Sequence, residues 1–188
     1  MTGMLSKLTD ALAQKKVVIF SLVVTAVLIL IINRIDSRLS GSGGLEILFL
    51  QIAFTSKDFD TVLASWGTGG IDYYVQTIWI DYLYALSAAF LLSSATAYFR
   101  VQTRLLGGEA VRKRDGLIYI LPLVYVMLEM AENSLHIFII VTKILREPAV
   151  LVSSLVSILK YIFLLLGIGV MMRHYYKFRE MIKSQGRQ

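Results

Sequence analysis

Tyr125, Glu129, Glu132, Asn133 and His136 stand inside a run that is otherwise apolar from Leu117 to Thr142. A phenol, two carboxylates, an amide and an imidazole can move protons, hold a polar ligand or bind a cation. Steps of four, three, one and three residues set them on one stripe of a helix. In hydrocarbon a charged side chain costs about 2.5–3.5 kcal/mol on insertion scales, so such groups face the protein interior and find partners. Two further apolar stretches supply partners, with Asp81 in one and Lys160 in the other. At ~1.5 Å rise per residue, Glu132 and Lys160 lie roughly 15 Å from the same membrane face, and His136 and Asp81 roughly 9 Å. The expected pairs are Lys160 with Glu132 or Glu129, and Asp81 with His136. Glu132, Glu129 and Asp81 are the candidate catalytic acid/base groups; Asn133, His136, Lys160 and Tyr125 are the candidate ligand-binding groups.

Two plainer readings of these residues stay open. A buried Lys–Glu pair can simply fix helix register. Glu132 and His136 are also metal-ligand types at i, i+4. Carboxylate-rich di-metal bundles, however, draw Glu-x-x-His from two helices, and only one His lies in an apolar stretch here, so no metal is expected. The absence of cysteine excludes disulfides, zinc–thiolate sites and iron–sulfur clusters. No Ser–His–Asp set, Walker loop or glycine-rich dinucleotide fingerprint is present, and no cofactor is expected. The stretch "LLGGEAVRKRD" reads as a turn with a lipid-headgroup contact.

The elements that must position these residues follow from composition. Of 188 residues, 56% are hydrophobic and 17% charged, with a mean hydropathy of +0.68. A globule of this size cannot hide so much apolar surface. Four stretches reach the ~20 apolar residues a spanning helix needs: 17–33, 75–99, 117–142 and 149–172. The first follows Lys15 and Lys16 but precedes no Ala-x-Ala-like cleavage site, so it reads as a retained span. The expected fold class is all-α, an integral membrane four-helix bundle forming a single transmembrane domain over 1–188.

Basic residues orient it. With the N-terminus inside, the cytoplasmic pieces carry Lys7, Lys15, Lys16, then Arg100, Arg104, Arg112, Lys113, Arg114, then Arg173, Lys177, Arg179, Lys183 and Arg187. The outer pieces carry only Arg34, Arg38, Lys57, Lys143 and Arg146. That asymmetry predicts both termini in the cytoplasm. It also accounts for the +6 net charge without nucleic acid, which is not expected as a partner.

The outer loop, 34–74, is expected to hold a short amphipathic helix in "TSKDFDTVLASWG". Thr55 can cap it, Asp58 suits its first turn and Gly67 can end it. Phe59, Val62, Leu63 and Trp66 share one apolar face. Such a helix lies on the membrane surface, roofs the bundle or acts as a lid over an entrance. The preceding "LEILFLQIAF" is too short to span. Ala85, Ala89, Ser93 and Ala97 continue the Asp81 face with small residues that let helices approach closely, and Ser153 and Ser157 lie near the Lys160 face. Tyr73, Tyr74 and Trp79 suit the outer interface, and Tyr175 with Tyr176 the inner one. Ile139 is expected to face lipid.

"FTSKDFDTVLASWG", "WIDYLYALSAAFLL" and "LEMAENSLHIF" together resemble a group of small four-span bacterial membrane proteins. Similar members read Trp-Leu-Asp in the second span and an acidic residue followed by Glu-Asn in the third. The matching positions are Asp81, Glu129, Glu132 and Asn133, and the likeness covers roughly residues 45–140. The resemblance implies a bacterial plasma membrane and treats these residues as a unit; it brings no activity with it. Three functions are open: a site that binds or modifies a lipid or other amphiphile, an accessory or assembly protein with a structural polar core, and a proton- or cation-coupled carrier or pore. The expected partners are membrane lipids, with a second copy or another membrane protein as further candidates. No pair of broken helices of the inverted-repeat transporter kind is visible.

Overall fold

The computed structural model describes residues 2–41, 43–107, 117–142 and 146–185. Among these residues the chain forms seven helices and no strand. They are α1 (Thr2–Leu12), α2 (Lys15–Ser40), α3 (Ile47–Gln51), α4 (Ser56–Thr77), α5 (Trp79–Gly107), α6 (Leu117–Thr142) and α7 (Arg146–Gln185). Four of them, α2, α5, α6 and α7, are long and apolar enough to cross a membrane. Arg112, Lys113, Arg114, Lys143 and Arg187 of the charge argument, with most of "LLGGEAVRKRD", lie outside the described residues.

The helices run past the apolar stretches that seed them. With 40 residues, α7 is about 60 Å long, twice the ~30 Å hydrocarbon thickness, and its excess carries Arg173, Lys177, Arg179 and Lys183. α5 begins at Trp79 rather than Val75, because Val75–Thr77 still belong to α4. Thr77 Oγ1 donates back to Tyr73 O at 2.8 Å and Tyr74 O at 3.2 Å, a side-chain bond that bends helices.

Contacts within the chain fall into two compact units, one of Met1–Thr25, Ser87–Val124 and Phe163–Gln188, the other of Ala26–Leu86 and Tyr125–Ile162. In the first, Leu12 and Ala13 at the end of α1 pack on Ala97, with Val17, Val101 and Tyr119 around them. Thr9 Oγ1 and Tyr119 OH share a hydrogen bond of 2.6 Å, and Ser21 and Ser94 one of 3.2 Å. Tyr98, Phe99, Tyr175 and Phe178 form an aromatic group in the same unit. Ala89, Ser93 and Ala97 are buried here, and Ala85 is buried in the second unit.

The second unit has an apolar core built from Ile35 and Leu39 of α2, Leu50 of α3, Phe59, Val62, Leu63 and Trp66 of α4, Ile139 of α6 and Val150 of α7. α4 starts where Thr55, in extended backbone, accepts a hydrogen bond from Asp58 N and donates its own proton to Asp58 Oδ2. Its four predicted apolar positions, Phe59, Val62, Leu63 and Trp66, are all buried, while Lys57 is exposed. Trp66 Nε1 donates to Leu45 O at 2.5 Å, Ser65 Oγ accepts from Leu45 N at 2.9 Å, and Ser154 Oγ of α7 donates to Ala53 O at 2.7 Å. These bonds tie the segment 45–53 down despite its short helix.

One expectation is met with an addition here and another fails. Gly67 does break the helix, with φ 65° and ψ 180°, but helical backbone resumes after it and runs to Thr77. That conformation is essentially restricted to glycine, and a Cβ there would meet nothing within 4 Å, so the demand is conformational rather than steric. Ile139 does not face lipid: it is completely buried. A step of three beyond His136 keeps it on the polar stripe's own face, where the apolar core of this unit receives it.

Candidate functional site

All seven candidate residues belong to the second unit. Tyr125, Glu129, Glu132, Asn133 and His136 form the buried stripe of α6 anticipated from their spacing. On α7 the buried face is Val150, Ser153, Ser154, Ser157 and Lys160, a helical stripe whose small serines clear the way for the lysine. On α5 Asp81 is half-buried.

The centre is a triad. Lys160 Nζ lies 2.6 Å from Glu132 Oε2 and 3.1 Å from Glu129 Oε2. It also donates to Glu129 Oε1 at 3.2 Å. The three side chains are almost wholly removed from solvent, at 3%, 0% and 6% exposure for Lys160, Glu132 and Glu129. Asn133 Nδ2 donates to Glu129 Oε1 at 3.4 Å and steadies that carboxylate. Lys160 therefore takes both partners anticipated as alternatives. Asp81 and Tyr125 lie within electrostatic reach of the triad, Asp81 of all three members and Tyr125 of Glu129. One ammonium thus contacts two carboxyl groups, with a third within electrostatic reach.

The expected Asp81–His136 pair does not form. His136 Nδ1 instead shares a hydrogen bond of 2.8 Å with Tyr74 OH of α4. Tyr74 had been read as an interface residue; it is buried, with its ring 5.2 Å from Trp66 and 6.3 Å from the imidazole. Phe59 closes on the imidazole from the same helix at 5.8 Å. Burial pushes the Tyr74 phenol well above its ordinary range, with the nearby Asp81 and Glu132 charges adding to the shift, so it stays protonated. If the phenol donates to Nδ1, the imidazole proton sits on Nε2. If Nδ1 donates instead, Nε2 is a bare acceptor and the phenol proton is unused. Either tautomer leaves a buried polar group without a partner, since Nε2 has none among the described residues.

Beside the triad, Glu132 Oε1 and Ser153 Oγ are likewise buried without a hydrogen-bond partner among the described residues. Ser157 Oγ donates to Ser153 O at 3.0 Å, and the same hydroxyl lies within hydrogen-bonding reach of the Glu132 carboxyl. Close by, Tyr161 OH donates to Gln51 Oε1 at 2.6 Å, which links α7 to α3. Among the described residues no group of three His, Asp or Glu side chains could hold a metal ion.

Chemically, this is a desolvated cluster with more carboxyl groups than ammonium groups and unused hydrogen-bonding atoms beside it. Tyr74 is the residue that sequence reasoning missed. Its position seven residues beyond Gly67, on a resumed helix, was the available signal. Tyr73, also assigned to the interface, has the Arg38 guanidinium 4.2 Å over its ring.

Comparisons with family models, with curated proteins and with solved structures found no match for this chain. The class that its fold defines is an all-helical protein with four helices able to cross a membrane.

Proposed function

We propose that the protein is a multi-pass membrane protein of a bacterial plasma membrane, with both termini in the cytoplasm. In this reading the Lys160 cluster is a binding site in the outer half of the bilayer for the polar head of a lipid or other amphiphile. Membrane insertion is supported by large apolar side chains exposed on the four long helices, such as Leu30, Phe90, Val141 and Leu165. A soluble protein rarely exposes apolar patches on that scale. The basic residues argue for the orientation, and the likeness to small four-span bacterial proteins argues for the setting.

One observation carries the binding site: two carboxylates converge on one ammonium while Glu132 Oε1 stays buried and unpartnered. A register-fixing tie needs one Glu for one Lys. A second carboxylate at this depth adds a cost of about 2.5–3.5 kcal/mol that a purely structural role does not repay. A ligand bearing hydroxyl or ammonium donors would satisfy the surplus acceptor, with Asn133, His136 and Tyr125 as further polar contacts. Should the site also act on its ligand, Glu132, Glu129 and Asp81 are the acid/base groups. Membrane lipids are the partners this reading requires; a second copy or another membrane protein is compatible with it, and nucleic acid has no part in it.

The near-complete burial of the triad favours a second reading, an accessory or assembly protein whose polar core holds the helices in register. Native mass spectrometry of the purified protein separates the two. Binding predicts a co-purifying amphiphile that Glu132→Gln loses while its unfolding midpoint is kept. A protein that retains no amphiphile, together with a destabilised Glu132→Gln, would favour the structural role.

A further inference from the structure

At the end of α2 away from the N-terminus, Arg34, Ser37 and Arg38 line a cleft of about 500 Å³ together with Tyr73. Arg34 and Arg38 stand one helical turn apart, and both are exposed. Neither guanidinium is in an ion pair among the described residues. Among those residues the one partner of either is an aromatic ring, that of Tyr73, which holds Arg38 by its face at 4.2 Å. Stacking fixes the plane of the guanidinium and leaves its edge N–H groups free to bind.

A plain role for arginines at a helix C-terminus is to satisfy the last carbonyls. Here backbone N–H groups take two of the last four carbonyls, and serine hydroxyls add to two carbonyls a turn earlier. Ser37 Oγ donates to Asn33 O at 2.7 Å, Gly41 N to Ser37 O at 2.9 Å, Gly43 N to Ser40 O at 3.0 Å and Ser40 Oγ to Asp36 O at 2.9 Å. Asp36, between the two arginines in sequence, is engaged by Ile47 N through Oδ1 at 2.8 Å. The two cations are therefore left to face the cleft.

The surface leading away from the cleft is apolar. Val27, Ile31, Arg34 and Arg38 follow steps of four, three and four, one face of α2. Val27, Leu30 and Ile31 are exposed, Leu30 at 69%. An acyl-bearing surface thus ends at two fork-shaped cations, and the planar guanidinium matches the oxygens of a phosphate. We infer that this cleft binds the phosphate of an anionic phospholipid whose chains lie along Val27, Leu30 and Ile31. It is a second lipid site, independent of the Lys160 cluster.

The test is native mass spectrometry of the detergent-purified protein titrated with dioleoyl-phosphatidylglycerol, with dioleoyl-phosphatidylcholine and with inorganic phosphate. Phosphatidylglycerol should be retained in preference to phosphatidylcholine. Each arginine removed should weaken its binding about fivefold, so Arg34→Gln with Arg38→Gln costs about thirtyfold. Arg34→Gln alone carries the test if the double variant does not fold, because the Arg34 side chain is exposed. In a Glu132→Gln background Arg34→Gln should still weaken phosphatidylglycerol binding about fivefold, which keeps the result separate from the fate of the buried site. Equal retention of the two lipids, or undiminished phosphatidylglycerol binding in Arg34→Gln, overturns the assignment. Displacement of phosphatidylglycerol by millimolar inorganic phosphate overturns it in favour of a free-anion site.

Discussion

Lys160→Met is the substitution that asks most of the buried triad. At an effective dielectric of about 20, each contact of Nζ with Glu132 and Glu129 corresponds to roughly 5 kcal/mol of Coulomb attraction. Desolvation of the three groups offsets most of that sum. Removing the ammonium has a different cost, because it leaves two carboxylates, 0% and 6% exposed, with no cation beside them. Breaking a buried pair in this way destabilises by about 3–5 kcal/mol, whereas replacing all charged members with neutral groups is often harmless. The expected series is therefore ordered. Lys160→Met should lose about 3–5 kcal/mol of unfolding free energy. Glu132→Gln should lose little or nothing, because Glu129 still holds the ammonium at 3.1 and 3.2 Å. The triple change Lys160→Met, Glu129→Gln, Glu132→Gln should recover most of the loss. Unfolding by sodium dodecyl sulfate titration in mixed micelles measures all three. Trp66, buried at 7% exposure in the same unit, supplies a fluorescence signal. A Lys160→Met protein within ~1 kcal/mol of wild type would refute the cost assigned to an unpaired buried charge. A triple variant no better than Lys160→Met would refute it from the other side.

Three further outcomes follow from the geometry. Tyr74→Phe removes the partner of His136 Nδ1 and should destabilise by about 1–3 kcal/mol in the same titration; a neutral effect would mean that the 2.8 Å bond contributes nothing. Gly67→Ala should cost on the order of 1–3 kcal/mol from backbone conformation alone, since no atom lies near the added methyl, and an unchanged midpoint would contradict the kink. Single cysteines at Gly69, where a Cβ has open space, and at Ser184 should label from opposite sides of the membrane in intact cells, Gly69 from outside; the reverse pattern overturns the orientation.

Much of the fold was legible because hydrophobic periodicity and length are local properties. The apolar run 117–142 became α6 with the same ends, and the Thr55–Asp58 cap with its apolar face reappeared intact. What extends beyond the apolar runs was not legible. The polar ends of α2 and α7 carry no hydropathy signal, and among its described side chains α1 buries Leu12 alone, with Ala13 just past its end. The convergence of Glu129, Glu132 and Lys160 could be read from depth, because a rise of ~1.5 Å per residue converts sequence position into height. Azimuth is another matter. The step of three from His136 already set Ile139 on the inward face of α6, so its assignment to lipid misread a legible signal; that α4 covers this face was not legible.

The same limit explains why Asp81 was matched to His136 and Tyr74 was not. Two residues at equal height on different helices are neighbours only if their faces turn toward each other. A residue from a connecting segment can intervene when the backbone delivers it. Gly67 provides that delivery. Its left-handed φ ends one helical piece and starts another, so Trp66 and Tyr74 lie on either side of the break with their rings still 5.2 Å apart. An alanine at 67 would favour a continuous helix, in which Trp66 and Tyr74 stand eight positions apart, over two turns and some 12 Å along the axis. The bond that orients the imidazole thus depends on a glycine outside the four long helices.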